Sequence, residues 1–152
     1  MQAALQPVWK QFDETYQALR HALAQIPDER LTWQPSPSAS SVVTVVRHII
    51  KANRCYSSVM EGGPESVPSV EETPGRERLL DLLDASHQRV WDVMEAMSAS
   101  DLSCKRADDW GPLGIEVEGP LDGLWFAHQI VRHTAYHLGQ INYVLLLAED
   151  HY

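Results

Sequence analysis

Apolar and aromatic side chains recur along the first segment at Leu5, Val8, Phe12, Thr15/Tyr16, Leu19, Leu23 and Ile26. Alternating steps of three and four place them on one face of a helix. Pro27 ends that helix, because its ring removes a backbone donor and clashes with the preceding turn. The Pro- and Ser-rich stretch LTWQPSPSAS follows, and Ser40 or Ser41 is placed to cap a second helix through VVTVVRHIIKANRCYSSVM to the Gly62-Gly63-Pro64 breaker. Its β-branched residues suit a strand locally. Strands usually run only about 5 or 6 residues, however, and this uninterrupted run of about 20 favours helix.

Thr73 followed by Pro74 has the form of an N-cap with proline at the first helical position, and Leu80, Leu83, His87, Val90, Met94 and Met97 continue as an apolar stripe. A connection from Ser98 to Pro120 contains Trp110-Gly111-Pro112, Gly114 and the short alternation Ile115-Glu116-Val117-Glu118. Loops of that length are commonly functional or mobile. A last helix from about Leu121 to Ala148 is apolar on more than one side, as a helix central to a bundle must be. The pattern predicts an all-α single domain over 1–152, a four-helix bundle whose long crossover connections depart from simple up-down order.

Composition narrows the function classes. The 152 residues carry 21 acidic and 12 basic side chains, a net charge of −9. Nucleic-acid binding draws on clustered Lys and Arg, and the densest basic stretch, Arg76 to Arg78, is broken by Glu77, so no nucleic-acid partner is expected. No apolar run approaches the roughly 20 residues that span a bilayer, and the N-terminus lacks the plan of a secretory signal. Cys55 and Cys104 are too few for a disulfide framework. Together these predict a cytoplasmic protein with no membrane partner.

Candidate chemistry lies in the histidines. His133 and His137 stand four residues apart, which puts both rings on one helix face about one turn from each other. The same face collects Phe126, Ile130, Gln140, Ile141 and Val144, so the pair is expected to look inward. Buried imidazoles need partners, and neutral imidazole readily binds metal. His48 is the best third ligand, on a small apolar face with Ser41, Val45, Ala52 and Val59. Three histidines leave a coordination position open for water or substrate. The alternative is a chance His pair packed in an apolar helix. Thr134 stands where a zinc peptidase carries its general-base Glu, which excludes that class.

His128 is rotated about 140° from His133 and is expected to pack or face solvent. His87 is either a core histidine bonded to a neighbouring helix or a pocket-lining acid/base or fourth ligand. His21 and His151 read as surface or terminal residues, and Cys55 as a packing thiol. Trp33, Trp110 and Trp125 either line a pocket mouth or simply pack. The outer side of the last helix, with Trp125, His128 and Leu138, suits a homodimer contact or the interior equally.

Leu31-Thr32-Trp33-Gln34-Pro35, Ser41 seven residues before His48, and His133-x-x-Tyr136-His137-x-Gly139-Gln140-Ile141 together resemble the DinB/YfiT-like metalloenzyme superfamily. The resemblance implies a four-helix bundle holding a divalent metal, usually zinc or nickel, with His48, His133 and His137 as ligands. Leu138 stands where family members often carry Arg, and Thr134 where an acid is frequent. Gln140, one turn beyond His137, remains as a pocket residue that can hydrogen-bond a ligand imidazole or bound water. Characterised relatives imply a small-molecule substrate and a transferase using a low-molecular-weight thiol such as bacillithiol or mycothiol, in detoxification or stress response. A metal-dependent hydrolase and a non-enzymatic metal-binding stress protein are the alternatives.

Overall fold

A computed structural model describes residues 1–63, 74–107 and 121–149. Thr73, Trp110, the Ile115 to Glu118 alternation and His151 lie outside the described residues. Within them the chain forms helices α1 (Gln6–Gln25), α2 (Val42–Met60), α3 (Arg76–Ala96), α4 (Ala99–Ser103) and α5 (Gly123–Glu149), with strands β1 (Lys105–Ala107) and β2 (Leu121–Asp122). No helix there is long and apolar enough to cross a membrane.

The face expected of α1 is the one buried, from Leu5 through Ile26. Ser41 rather than Ser40 caps α2, its hydroxyl accepting from the Thr44 N–H at 3.4 Å. α3 starts later than expected. Gly75 is its N-cap, in extended backbone, and its carbonyl accepts the first helical bond from Leu79 N–H at 2.9 Å. Pro74 therefore precedes the helix instead of opening it. The buried stripe of α3 is also rotated toward Leu79, Ser86 and Val93, leaving His87 at its edge. Small Ser86, which hydropathy alone does not mark as core, takes the central place.

The connection after α3 carries structure that periodicity missed. Ser98 and Asp101 form a capping box that starts α4, and β1 pairs antiparallel with β2, Lys105 opposite Asp122. Elements of two to five residues are too short to show a hydrophobic period.

The four long helices pack as a bundle in which α1 and α2 each contact both α3 and α5. Consecutive helices α1 and α2 are thus diagonal, as are α3 and α5. The link at 26–41 makes the first of those diagonal crossings, and the placement of α3 and α5 is likewise in keeping with the crossover topology expected. The apolar core has two parts. One gathers Leu5, Phe12, Tyr56, Val90, Met94 and Phe126 with their neighbours. The other gathers Leu19, Leu23, Val46, Ile50, Leu83 and Ile141 with theirs.

Gly123 opens α5 where the chain passes closest to α4: a Cβ there would lie 2.5 Å from the Asp101 carbonyl oxygen and 2.4 Å from Met97 Cε. The methionine can turn aside, but the backbone carbonyl cannot. Gly123→Ala is expected to lower stability by about 1–3 kcal/mol, the usual range for overpacking, read as a lower urea midpoint at unchanged m-value.

Candidate metal centre

His48 stands in the second turn of α2 with His133 and His137 across the seam on α5. His133 Nε2 lies 3.0 Å from His48 Nε2 and 3.1 Å from His137 Nε2. Ligand-capable atoms of all three lie within 4.8 Å of one another. Ligands held 2.0–2.1 Å from one tetrahedral ion stand about 3.3 Å apart, so the observed spacing is close to what a shared cation requires. Among the described residues no other group of His, Cys, Asp and Glu gathers this way.

The three rings differ in burial. His133 is buried at 8% exposure, His137 is half-buried and His48 is exposed. The expectation of a wholly inward face is corrected on this point: α2 presents His48 at the rim of the seam, so the site has a closed floor and an open side. Helical rotation sets which residues align, whereas the neighbouring helix decides how far each is covered.

Electrostatics favour neutral rings. Burial pushes the His133 imidazolium down to about 3, with His137 and His48 adding to the shift. Burial also lowers His48, reinforced by His137 and by the ammonium of Lys51. For His137 burial lowers the value, against the raising effect of the hydrogen bond its Nδ1–H donates to Gln140 Oε1. A neutral imidazole has a lone pair to give; an imidazolium has none. This donor set, three neutral nitrogens converging on one point, fits a borderline-soft divalent ion such as zinc or nickel.

Around the trio, Gln140 Oε1 lies 2.6 Å from His137 Nδ1, and Gln140 Nε2 donates to the Tyr136 hydroxyl at 3.2 Å. Gln140 thus orients the His137 ring with Nε2 turned to its partners. Tyr56 packs edge-on against His133, centroids 5.6 Å apart. Its role was not anticipated, although a spacing of eight from His48 puts both on one side of α2. Beside the trio is an open cleft of about 480 Å³, lined by Pro35, Ser38, Val45, Gln140, Tyr143 and Val144 among others. The Pro- and Ser-rich stretch between α1 and α2 is therefore one wall of that cleft.

His87 is placed elsewhere. Its ring stacks on Tyr16 at 3.8 Å and on Phe12 at 5.4 Å, and its Nε2 lies 3.0 Å from Asp13 Oδ1. These are α1 neighbours, so the structure shows a histidine bonded to a neighbouring helix, outside the group that can share a cation. His128 and His21 are exposed and Cys55 is buried. Trp125 packs on Phe126 at 4.9 Å, and Trp33 packs against the Leu19 half of the core.

A helical bundle with converging histidines on two facing helices defines the class of protein. The chain belongs to the DinB superfamily, whose sequence model matches residues 11–141. Two solved structures share the fold. A conserved protein from Enterococcus faecalis superposes with a TM-score of 0.76 at 17% identity, covering 97% of each chain. A DinB-like protein, YjoA, from Bacillus subtilis gives 0.73 at 15% identity, covering 96% of this chain and 93% of its own. No curated protein matches in sequence.

An unfolded histidine titrates near 6.5, and the folded trio resists protonation below that value. Between the two, the unfolded chain binds more protons, so metal-free stability falls as pH drops from about 6.5 toward the folded values. Urea midpoints are expected to decline steadily over that window, and less steeply in His133→Phe.

Proposed function

We propose that the protein holds one divalent cation, zinc or nickel, through His48, His133 and His137, and serves as a transferase for a low-molecular-weight thiol of the bacillithiol or mycothiol type. The observation that carries this is the convergence of three neutral imidazole nitrogens with one side open to solvent. When bound, such a cation supplies Lewis acidity that lowers a thiol's pKa, which is about 8.5 when free, and so yields thiolate near neutral pH.

The chain's own residues do the rest. His133 holds the floor of the site, His137 is oriented by Gln140, and exposed His48 leaves the approach open. Lys51 gives positive potential beside His48, in a chain that has Leu138 in place of the Arg frequent in the family. Gln140 touches His137 and also lines the cleft, so a small electrophile seated against Val45 and Val144 lies next to the trio. The reaction is attack of the thiolate sulfur on an electrophilic carbon, forming a C–S bond as that carbon's leaving group departs with its electron pair.

Protein purified without an affinity tag is expected to carry one zinc or nickel per chain by elemental analysis. His48→Ala, His133→Ala and His137→Ala each lower that content severalfold or more, and His128→Ala leaves it unchanged. The loaded protein is expected to accelerate thiol addition to a panel of electrophiles, and His133→Ala is not. Turnover of esters or amides without added thiol replaces the transferase with a hydrolase. Tight metal binding with no turnover in either screen leaves a binding protein.

A further inference from the structure

The two halves of the core are separated by a layer in which the helices turn polar side chains inward. α2 contributes Asn53 and Ser57, α3 Ser86, and α5 His133 and Thr134. Each is buried: Ser57 and Ser86 are at 0% exposure, Thr134 at 1% and Asn53 at 2%. Along the helices, Asn53, Ser86, His133 and Thr134 fall between the residues of the two apolar clusters, Ile50 and Cys55 on α2, Leu83 and Val90 on α3, Ile130 and Ile141 on α5, while Ser57 lies one turn beyond Asn53, among Tyr56 and Val59 of the first cluster. Helix periodicity and the bundle topology thus bring Asn53, Ser86, His133 and Thr134 to one level, with Ser57 one turn away on the same helix as Asn53.

Their hydrogen-bonding capacity is unmet. Asn53 Oδ1, Ser57 Oγ, Ser86 Oγ, Thr134 Oγ1 and His133 Nδ1 have no partner among the described residues. Isolated orphans of this kind are costly, and several at one level are more so. His133 faces two ways. Its Nε2 meets His48 and His137, so a neutral ring that gives its Nε2 lone pair to a cation carries its proton on Nδ1, which is the buried, unpartnered atom. Ligating histidines are held by an acceptor on that second nitrogen, and no carboxylate or carbonyl meets it here.

We propose that Asn53, Ser57, Ser86 and Thr134 form an internal site for ordered water, and that this water accepts the Nδ1 proton of His133 and so positions its ring toward the trio. Water suits the layer because each molecule both donates and accepts and makes about three hydrogen bonds to buried polar groups. The hydroxyls can rotate to donate or accept as the chain of bonds requires, and Asn53 Oδ1 ends it as an acceptor. These four are positioning residues, acting on the cation only through His133. The inference rests on the metal-centre reading above for the purpose it assigns to His133.

The test uses the full chain with two readouts. Two-bond ¹H–¹⁵N NMR of the metal-free protein reads the His133 tautomer, and competition titration with cobalt(II) reads affinity. The native ring is expected as a single Nδ1–H tautomer with slowed proton exchange. Ser86→Ala combined with Thr134→Val is expected to give mixed tautomers and a 10- to 100-fold loss of cobalt affinity, the usual effect of removing an outer-shell partner. Thr134→Ser, which keeps the hydroxyl, is expected to retain both native values. Unchanged tautomer and affinity with a raised Tm in the double variant would mean a dry, unpaired layer and would overturn the proposal. Should the double variant not fold, Ser57→Ala and Thr134→Val singly decide between the same outcomes. If the native protein binds no cobalt, the metal reading fails, while the tautomer in the metal-free protein still decides whether the layer holds the ring.

Discussion

Burial of an imidazole between two helices is the constraint around which this bundle is arranged. α2 and α5 must come close enough to cover His133, yet a covered ring loses its hydration and can no longer carry a proton near neutral pH. The same packing brings its Nε2 against two further histidines. Desolvation therefore turns three ordinary side chains into a set of lone-pair donors aimed at one point. The cost is a polar layer across the middle of the protein, where an apolar bundle would have packed leucine.

That layer accounts for the division of the core into two clusters. Each cluster has its own large side chains, Phe12 and Phe126 in one and Leu19, Leu23 and Ile50 in the other. Stability resides in these two ends, so the middle is free to carry polar groups. On the α1–α3 side the same level holds His87 against Asp13 and Tyr16, and Tyr16 in turn bonds Asp84. Burial and the Asp84 carboxylate raise the Tyr16 phenol above its usual range, so it stays a neutral donor there. Polar residues thus bridge helices on both sides of the bundle, one side through His87 and Tyr16 against the carboxylates of Asp13 and Asp84 and the other through the histidine trio.

Openness has a separate origin. The diagonal crossing from α1 to α2 carries residues 35–40 over the end of α5, and this wall with Val45, Gln140 and Val144 makes the cleft beside the trio. A bundle with short up-down loops would lack that wall. The crossover topology and the open cleft are thus one feature of the fold.

The sequence by itself determined the four long helices, a serine cap at Ser40 or Ser41, and the alignment of His133 with His137, because these follow from the helical period and from local hydrogen bonding. It also singled out His48, by the face it shares with Val45 and Ala52 and by resemblance to the family. The start of α3, the short α4 and the β1–β2 ribbon escaped it, since caps and elements of a few residues leave no periodic trace. Only tertiary structure decided that His48 lies at an exposed rim, that His87 belongs to Asp13 and Tyr16, and that Ser86 occupies the core stripe of α3. A helix face tells which side chains align. How deeply each is covered, and which polar atom meets which, depends on the rotation and approach of a neighbouring helix, and that is set by packing the whole bundle at once.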